Sequence, residues 1–141
     1  MGCDIHAHIE VKIKGDWYYY DELDISRNYD LFSKMANVRN REEQPITPIS
    51  ELKGLPNDLT FMTKFKSDIW DMDGHSHSWL SSREVFELEE WIEKNVILER
   101  HRPIGYLFGN GLGGWTKFPE DFDKLKSMGL QDFRLVFWFD N

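Results

Sequence analysis

Two short segments hold four of the five histidines and the single cysteine, Cys3-Asp4-Ile5-His6-Ala7-His8 and Asp71-Met72-Asp73-Gly74-His75-Ser76-His77-Ser78. In the first, Asp4, His6 and His8 alternate with apolar residues. On an extended strand such residues project from one face, successive members about 6.5 to 7 Å apart at Cα. Imidazoles at that spacing can converge on one ion, so Asp4, His6 and His8, joined by Asp71, form a candidate metal set suited to zinc, manganese or magnesium. An amphipathic strand that turns its polar residues to solvent accounts for the same spacing.

The second segment places Asp71, Asp73, His75 and His77 within seven residues, with Gly74 permitting a tight turn among them. Asp73, His75 and His77 are candidate catalytic groups, the histidines acting on a phosphate as general acid or base. The segment fails as a calcium loop: counted from Asp71 the glycine comes at the fourth position rather than the sixth, and the twelfth is Ser82 rather than Glu. A polar turn entering the next helix is the plainer account. The Asp-x-His-x-His strand resembles the opening metal motif of amidohydrolase-type enzymes, yet a chain of 141 residues is too short for their barrel, which needs about 250. Only the local geometry carries over. If both segments serve one centre, His6 and His75 should be functionally coupled.

Further groups stand outside these segments. Arg100 and Arg102 flank His101 and could hold a phosphate, or form a solvated helix end. The Gly109-Asn110-Gly111-Leu112-Gly113-Gly114 stretch matches neither of the common nucleotide-binding glycine motifs. Trp17, Tyr19, Trp79 and Trp115 offer flat rings on which a base could stack, with Trp79 and Trp115 the ligand-binding candidates beside Arg100 and Arg102. Cys3 points away from His6 on a strand, so it reads as a buried structural thiol rather than a nucleophile.

The elements that must position these groups are legible in part. Ile5, Ala7, Ile9, Val11 and Ile13 alternate with Asp4, His6, His8, Glu10 and Lys12, which predicts a strand; Lys14-Gly15-Asp16 then turns into the aromatic Trp17-Tyr18-Tyr19-Tyr20, completing a hairpin. Residues 28 to 39 show helical spacing with Asn28 or Asp30 as cap. Pro45, Pro48, Gly54 and Pro56 make 40 to 60 irregular. Phe61, Phe65 and Ile69 fit an i, i+4 pattern, but neighbouring residues leave helix or strand open. Ser81 and Glu84 form a capping box, with Leu80 and Val85 as a hydrophobic staple, so a helix starts near Ser82 and frays near Asn95. Glycines make 103 to 119 a loop, and a short helix runs from Pro119 until Gly129. Phe133 to Phe139 is apolar on both faces, as in a central strand, placed beside the first. The expectation is one α+β domain spanning 1–141: a small mixed or antiparallel sheet, with N-terminal hairpin and C-terminal strand adjacent, packed by about three helices.

Composition supports a packed domain, with 40% hydrophobic and 15% aromatic residues. One cysteine excludes a disulfide framework and a thiolate zinc knuckle. The N-terminus lacks the pattern of a signal peptide, and no apolar run is long enough for a membrane span, so a cytoplasmic protein is expected. A net charge of −8 without a basic stripe disfavours duplex nucleic acid.

Met1-Gly2-Cys3-Asp4-Ile5-His6, Gly54-Leu55-Pro56-Asn57-Asp58, Asp73-Gly74-His75-Ser76-His77-Ser78-Trp79-Leu80 and the ending Val136-Phe137-Trp138-Phe139-Asp140-Asn141 together resemble a family of small proteins common in bacteriophage genomes. The similarity spans most of the chain. It implies a phage accessory protein in the host bacterial cytosol, and by analogy one that counteracts host defence by acting on a nucleotide immune signal. Three modes follow: metal-dependent phosphodiester cleavage, a non-catalytic nucleotide sponge with its pocket shared in a homo-oligomer, or an acidic inhibitor that binds a host enzyme.

Overall fold

The computed structural model describes residues 2–95 and 116–141. Its frame is a four-stranded antiparallel sheet in the order β2-β1-β4-β3, formed by β1 (Asp4–Ile13), β2 (Asp16–Leu23), β3 (Gly74–Ser81) and β4 (Leu130–Asp140). Among the described residues four helices accompany it: α1 (Tyr29–Ala36), α2 (Phe61–Trp70), α3 (Ser82–Asn95) and α4 (Phe118–Ser127). The α+β class, the N-terminal hairpin and the adjacency of the first and last strands agree with the expectation. The fourth helix is α2, the segment whose periodicity left helix and strand open. No helix among the described residues is long and apolar enough to cross a membrane.

Alternation along the strands divides the sheet into two unlike faces. Ile5, Ala7, Ile9 and Val11 of β1 stand with Phe133, Leu135, Phe137 and Phe139 of β4, all buried in the main apolar core. Leu31, Phe32 and Met35 of α1, Val85, Leu88 and Ile92 of α3, and Phe118 of α4 belong to the same core. Cys3 is buried in it too, and that burial raises its thiol pKa, in keeping with a structural role. The caps form as their residue types require. Asn28 accepts from the Leu31 amide at 3.0 Å. Ser81 and Glu84 exchange both bonds of the capping box, at 3.0 and 3.2 Å.

The opposite face carries His6, His8 and Glu10 of β1 with Arg134, Val136 and Trp138 of β4. Its middle is closed to solvent, because His8 and Glu10 are fully buried and α2 lies over it. The hydrogen bonds that hold α2 there come from Glu10. Its Oε2 accepts from the Thr60 amide at 3.0 Å, the Thr63 hydroxyl at 2.7 Å and the Thr60 hydroxyl. Its Oε1 accepts from Arg134 at 2.7 and 2.8 Å.

Two bulges decide which side chains reach this face. In β2, Asp21 pairs with Ile9 and Tyr19 with Glu10, so Tyr20 is the extra residue. Tyr19 and Trp17 thereby join the polar face, while Tyr20 turns to α4 and donates to Asp121 at 2.5 Å. In β3, His75 pairs with Phe139 and Ser78 with Phe137, leaving Ser76 and His77 opposite Trp138 alone. Ser76 takes a left-handed backbone, φ 57°. What reads in sequence as a polar turn is thus a 3-10 turn, Asp71–Asp73, followed by an edge strand.

Candidate functional site

Trp138 is the centre of the first polar cluster. Its ring centroid lies 5.0 Å from that of His8, 6.1 Å from His6 and 6.0 Å from His77, all nearly parallel. Trp70, at the end of α2, lies 4.2 Å from His6. The Trp138 indole N–H is buried with no hydrogen-bond partner among the described residues. Three imidazoles from two strands therefore surround one indole. Histidines of both singled-out segments thus reach the same indole, His6 and His8 from β1 on one side of β4 and His77 from β3 on the other.

Each imidazole has its own surroundings. His6 Nε2 contacts the Asp140 carboxylate, and because a carboxylate only accepts, the hydrogen of this bond sits on Nε2. His8 Nδ1 bonds the Tyr19 hydroxyl at 3.0 Å. Burial, with Lys66 and His6 nearby, pushes the His8 pKa down to about 4, so this ring is neutral at pH 7. Burial lowers His77 as well, helped by the neighbouring His75. Beside the first two runs a cavity of about 380 Å³ lined by His6, His8, Glu22, Lys66, Trp70 and Trp138. On the other flank of α2, His77 and Asp71 line a second of about 500 Å³ with Leu55 and Ser67.

Other residues expected in one centre are separated. Asp4 is turned to Arg27, with bonds of 2.9 and 3.0 Å from its guanidinium. His75 stacks on Phe139 at 6.2 Å, on the sheet face opposite His6, and bonds Asn141 at 2.8 Å and Ser76 at 2.9 Å. On an unbroken strand His75 and His77 would share a face. The Ser76 bulge divides them. Asp73 stays exposed in the 3-10 turn. Among the described residues no group of three or more His, Cys, Asp or Glu side chains is gathered to hold a metal ion. Arg100, Arg102, Trp115 and the glycine stretch from Gly105 to Gly114 lie outside the described residues.

The second polar cluster escaped the sequence reading. Arg134, 5% exposed, bonds Glu10 and also reaches Asp58, at 2.7 Å to its carboxylate and 3.1 Å to its carbonyl. The Arg134 charge holds the Asp58 carboxyl below its usual range. One signal pointed to it: an arginine inside the apolar run Phe133–Phe139 needs a buried acid, and Glu10 is the acid in the facing strand.

Next to this cluster opens a cleft of about 620 Å³, walled by Trp17 and Trp79 and bordered by the loop Leu55–Asp58. The Arg134 guanidinium sits 3.9 Å from the Trp17 ring centroid, and Lys53 Nζ sits 4.0 Å from that of Trp79. The loop is tied to the edge of β3 by bonds from Lys53 N to Ser78 Oγ, 3.0 Å, and Gly54 N to the His77 carbonyl, 3.1 Å. Lys53 pairs with Glu84, and Asp58 and Asp132 also border the cleft, so its cations are closely balanced by carboxylates. Comparison of the chain with protein-family models, curated proteins and solved structures returns no match.

Proposed function

We propose that the cleft between Trp17 and Trp79 binds a small nucleotide without turning it over. One observation carries this reading: both indoles line a single cavity large enough for a mononucleotide, each with a cation at one of its ring faces. A base would stack on an indole, and a phosphate would lie toward Lys53. Because Asp58, Asp132 and Glu84 offset the cations, the cleft favours nucleosides and cyclic or singly phosphorylated ligands over triphosphates. In the setting that the phage resemblance implies, the ligand would be a nucleotide signal of host immunity and the protein its sponge. Titration calorimetry against nucleosides, mononucleotides, cyclic mono- and dinucleotides and triphosphates tests this, with mass spectrometry of the ligand recovered after denaturation. Intact cyclic or monophosphate ligand is expected. No binding by any member of the panel would end the reading.

The contact between His6 and Asp140 favours a second reading, phosphodiester cleavage at the cavity beside Trp138. Asp140 would hold the His6 tautomer whose Nδ1 takes a proton from an attacking water, while Lys66 attracts the phosphate. A divalent ion, when bound, would polarise a phosphoryl oxygen. In this reading, incubation with the same nucleotides gives product by chromatography, and His6→Gln abolishes it.

A further inference from the structure

Helix α2 is docked with its polar side inward. Thr63 and Ser67 are 0% and 7% exposed, while Phe61, Phe65, Ile69 and Met72 of the following turn are 77%, 50%, 66% and 92% exposed. Helices on soluble domains ordinarily bury their apolar stripe. Here the Glu10 carboxylate claims Thr60 and Thr63, so the stripe is forced outward. Phe61 and Phe65 stack on each other there, 6.4 Å between centroids.

We propose that this face is where two copies of the chain associate about a two-fold axis. The pattern is self-complementary. With the two α2 helices antiparallel and the axis near Lys66 and Ser67, Phe65 of one copy stands opposite Ile69 of the other, and Phe61 lies toward the end of the other helix, where the Asp71–Asp73 turn carries Met72. Lys64 and Asp68 flank one side of the stripe, bonded at 2.8 Å within their own helix. The same axis brings Lys64 of each copy to Asp68 of the other. On the opposite flank Lys66 turns back over Tyr19, 5.9 Å from its ring centroid, rather than toward its equivalent.

The area is sufficient. At ~150–250 Å² for a fully exposed large side chain, these four with Met62, itself 42% exposed, amount to roughly 500–800 Å² per copy. Doubled across the axis, that reaches the range of stable interfaces, about 1,200–2,000 Å². Ile69 and Lys66 also line the cavity beside His6 and His8. The second copy therefore borders the mouth of that cavity. With a net charge of −8 on each copy, added salt screens their repulsion and tightens the pairing.

Sedimentation equilibrium of the full chain tests the assignment. A species of twice 16.8 kDa is expected, with more of it at higher salt. Phe65→Glu should weaken association at least ~30-fold. Lys64→Glu alone should weaken it, and Lys64→Glu with Asp68→Lys should restore it, because the swapped pair is again self-complementary; this holds even if Phe65→Glu perturbs folding. A monomer at every concentration overturns the proposal, as does a dimer indifferent to Phe65→Glu or a double swap that fails to rescue. A monomer that floats with phosphatidylcholine vesicles would assign the face to lipid and equally overturn it.

Discussion

Glu10 and Arg134 face each other on adjacent central strands and meet at 2.7 Å, their side chains 0% and 5% exposed. Glu10 also anchors Thr60 and Thr63, so one carboxylate joins the sheet to the start of α2. Breaking a buried pair on one side leaves an uncompensated charge, whereas replacing both partners by apolar residues removes the desolvation cost as well. Glu10→Ala should lower stability by about 3–5 kcal/mol, and Glu10→Leu with Arg134→Met by less, the remaining loss coming from the Thr60 and Thr63 donors left without their acceptor. Urea denaturation checks this; a single substitution as mild as the double would contradict it.

His8 makes stability depend on pH. Its folded pKa is depressed to about 4 from an ordinary 6.5, so the unfolded chain binds the proton more readily. The stabilisation it contributes is complete above 6.5, declines as pH falls between 6.5 and 4, and is gone below that. The total is on the order of 3 kcal/mol. Denaturation of wild type and His8→Phe at pH values across that window should show the steeper loss in wild type. Parallel curves would refute the assignment.

The cleft makes Trp79 an anchor. Base–aromatic stacking is worth about 1–3 kcal/mol, so Trp79→Ala should weaken nucleotide binding roughly 5- to 150-fold, and Trp79→Phe should keep part of the affinity. Trp17→Ala should act in the same direction. Calorimetry on a ligand found with wild type gives the ratio, and unchanged affinity in both alanine variants would remove the cleft from consideration.

His6 and His75 are expected from their sequence segments to work as one centre, but they occupy opposite sheet faces, against Trp138 and Phe139. Their effects should therefore add. The double alanine variant should match the sum of the singles within about 0.5 kcal/mol, in stability and in any ligand affinity. A coupling well above that in a double-mutant cycle would mean that the two faces communicate.

Local pattern by itself was enough for much of this protein. The period-two alternation from Asp4 to Ile13 assigns the core side of β1, the apolar run to Phe139 requires a central strand, and the Ser81–Glu84 box marks where α3 begins; each depends on neighbours within a few residues. Tertiary structure decided the rest. Phe61, Phe65 and Ile69 have the spacing of a core stripe, yet Glu10, some 50 residues earlier in the chain, holds the other side of α2 inward. Ser76 carries no mark of a bulge, and only pairing with β4 sets the extra residue that sends His77 to Trp138 and His75 to Phe139. A helix or strand period fixes which residues share a face, but which face is buried, and where a strand slips by one, depends on hydrogen bonds between distant segments.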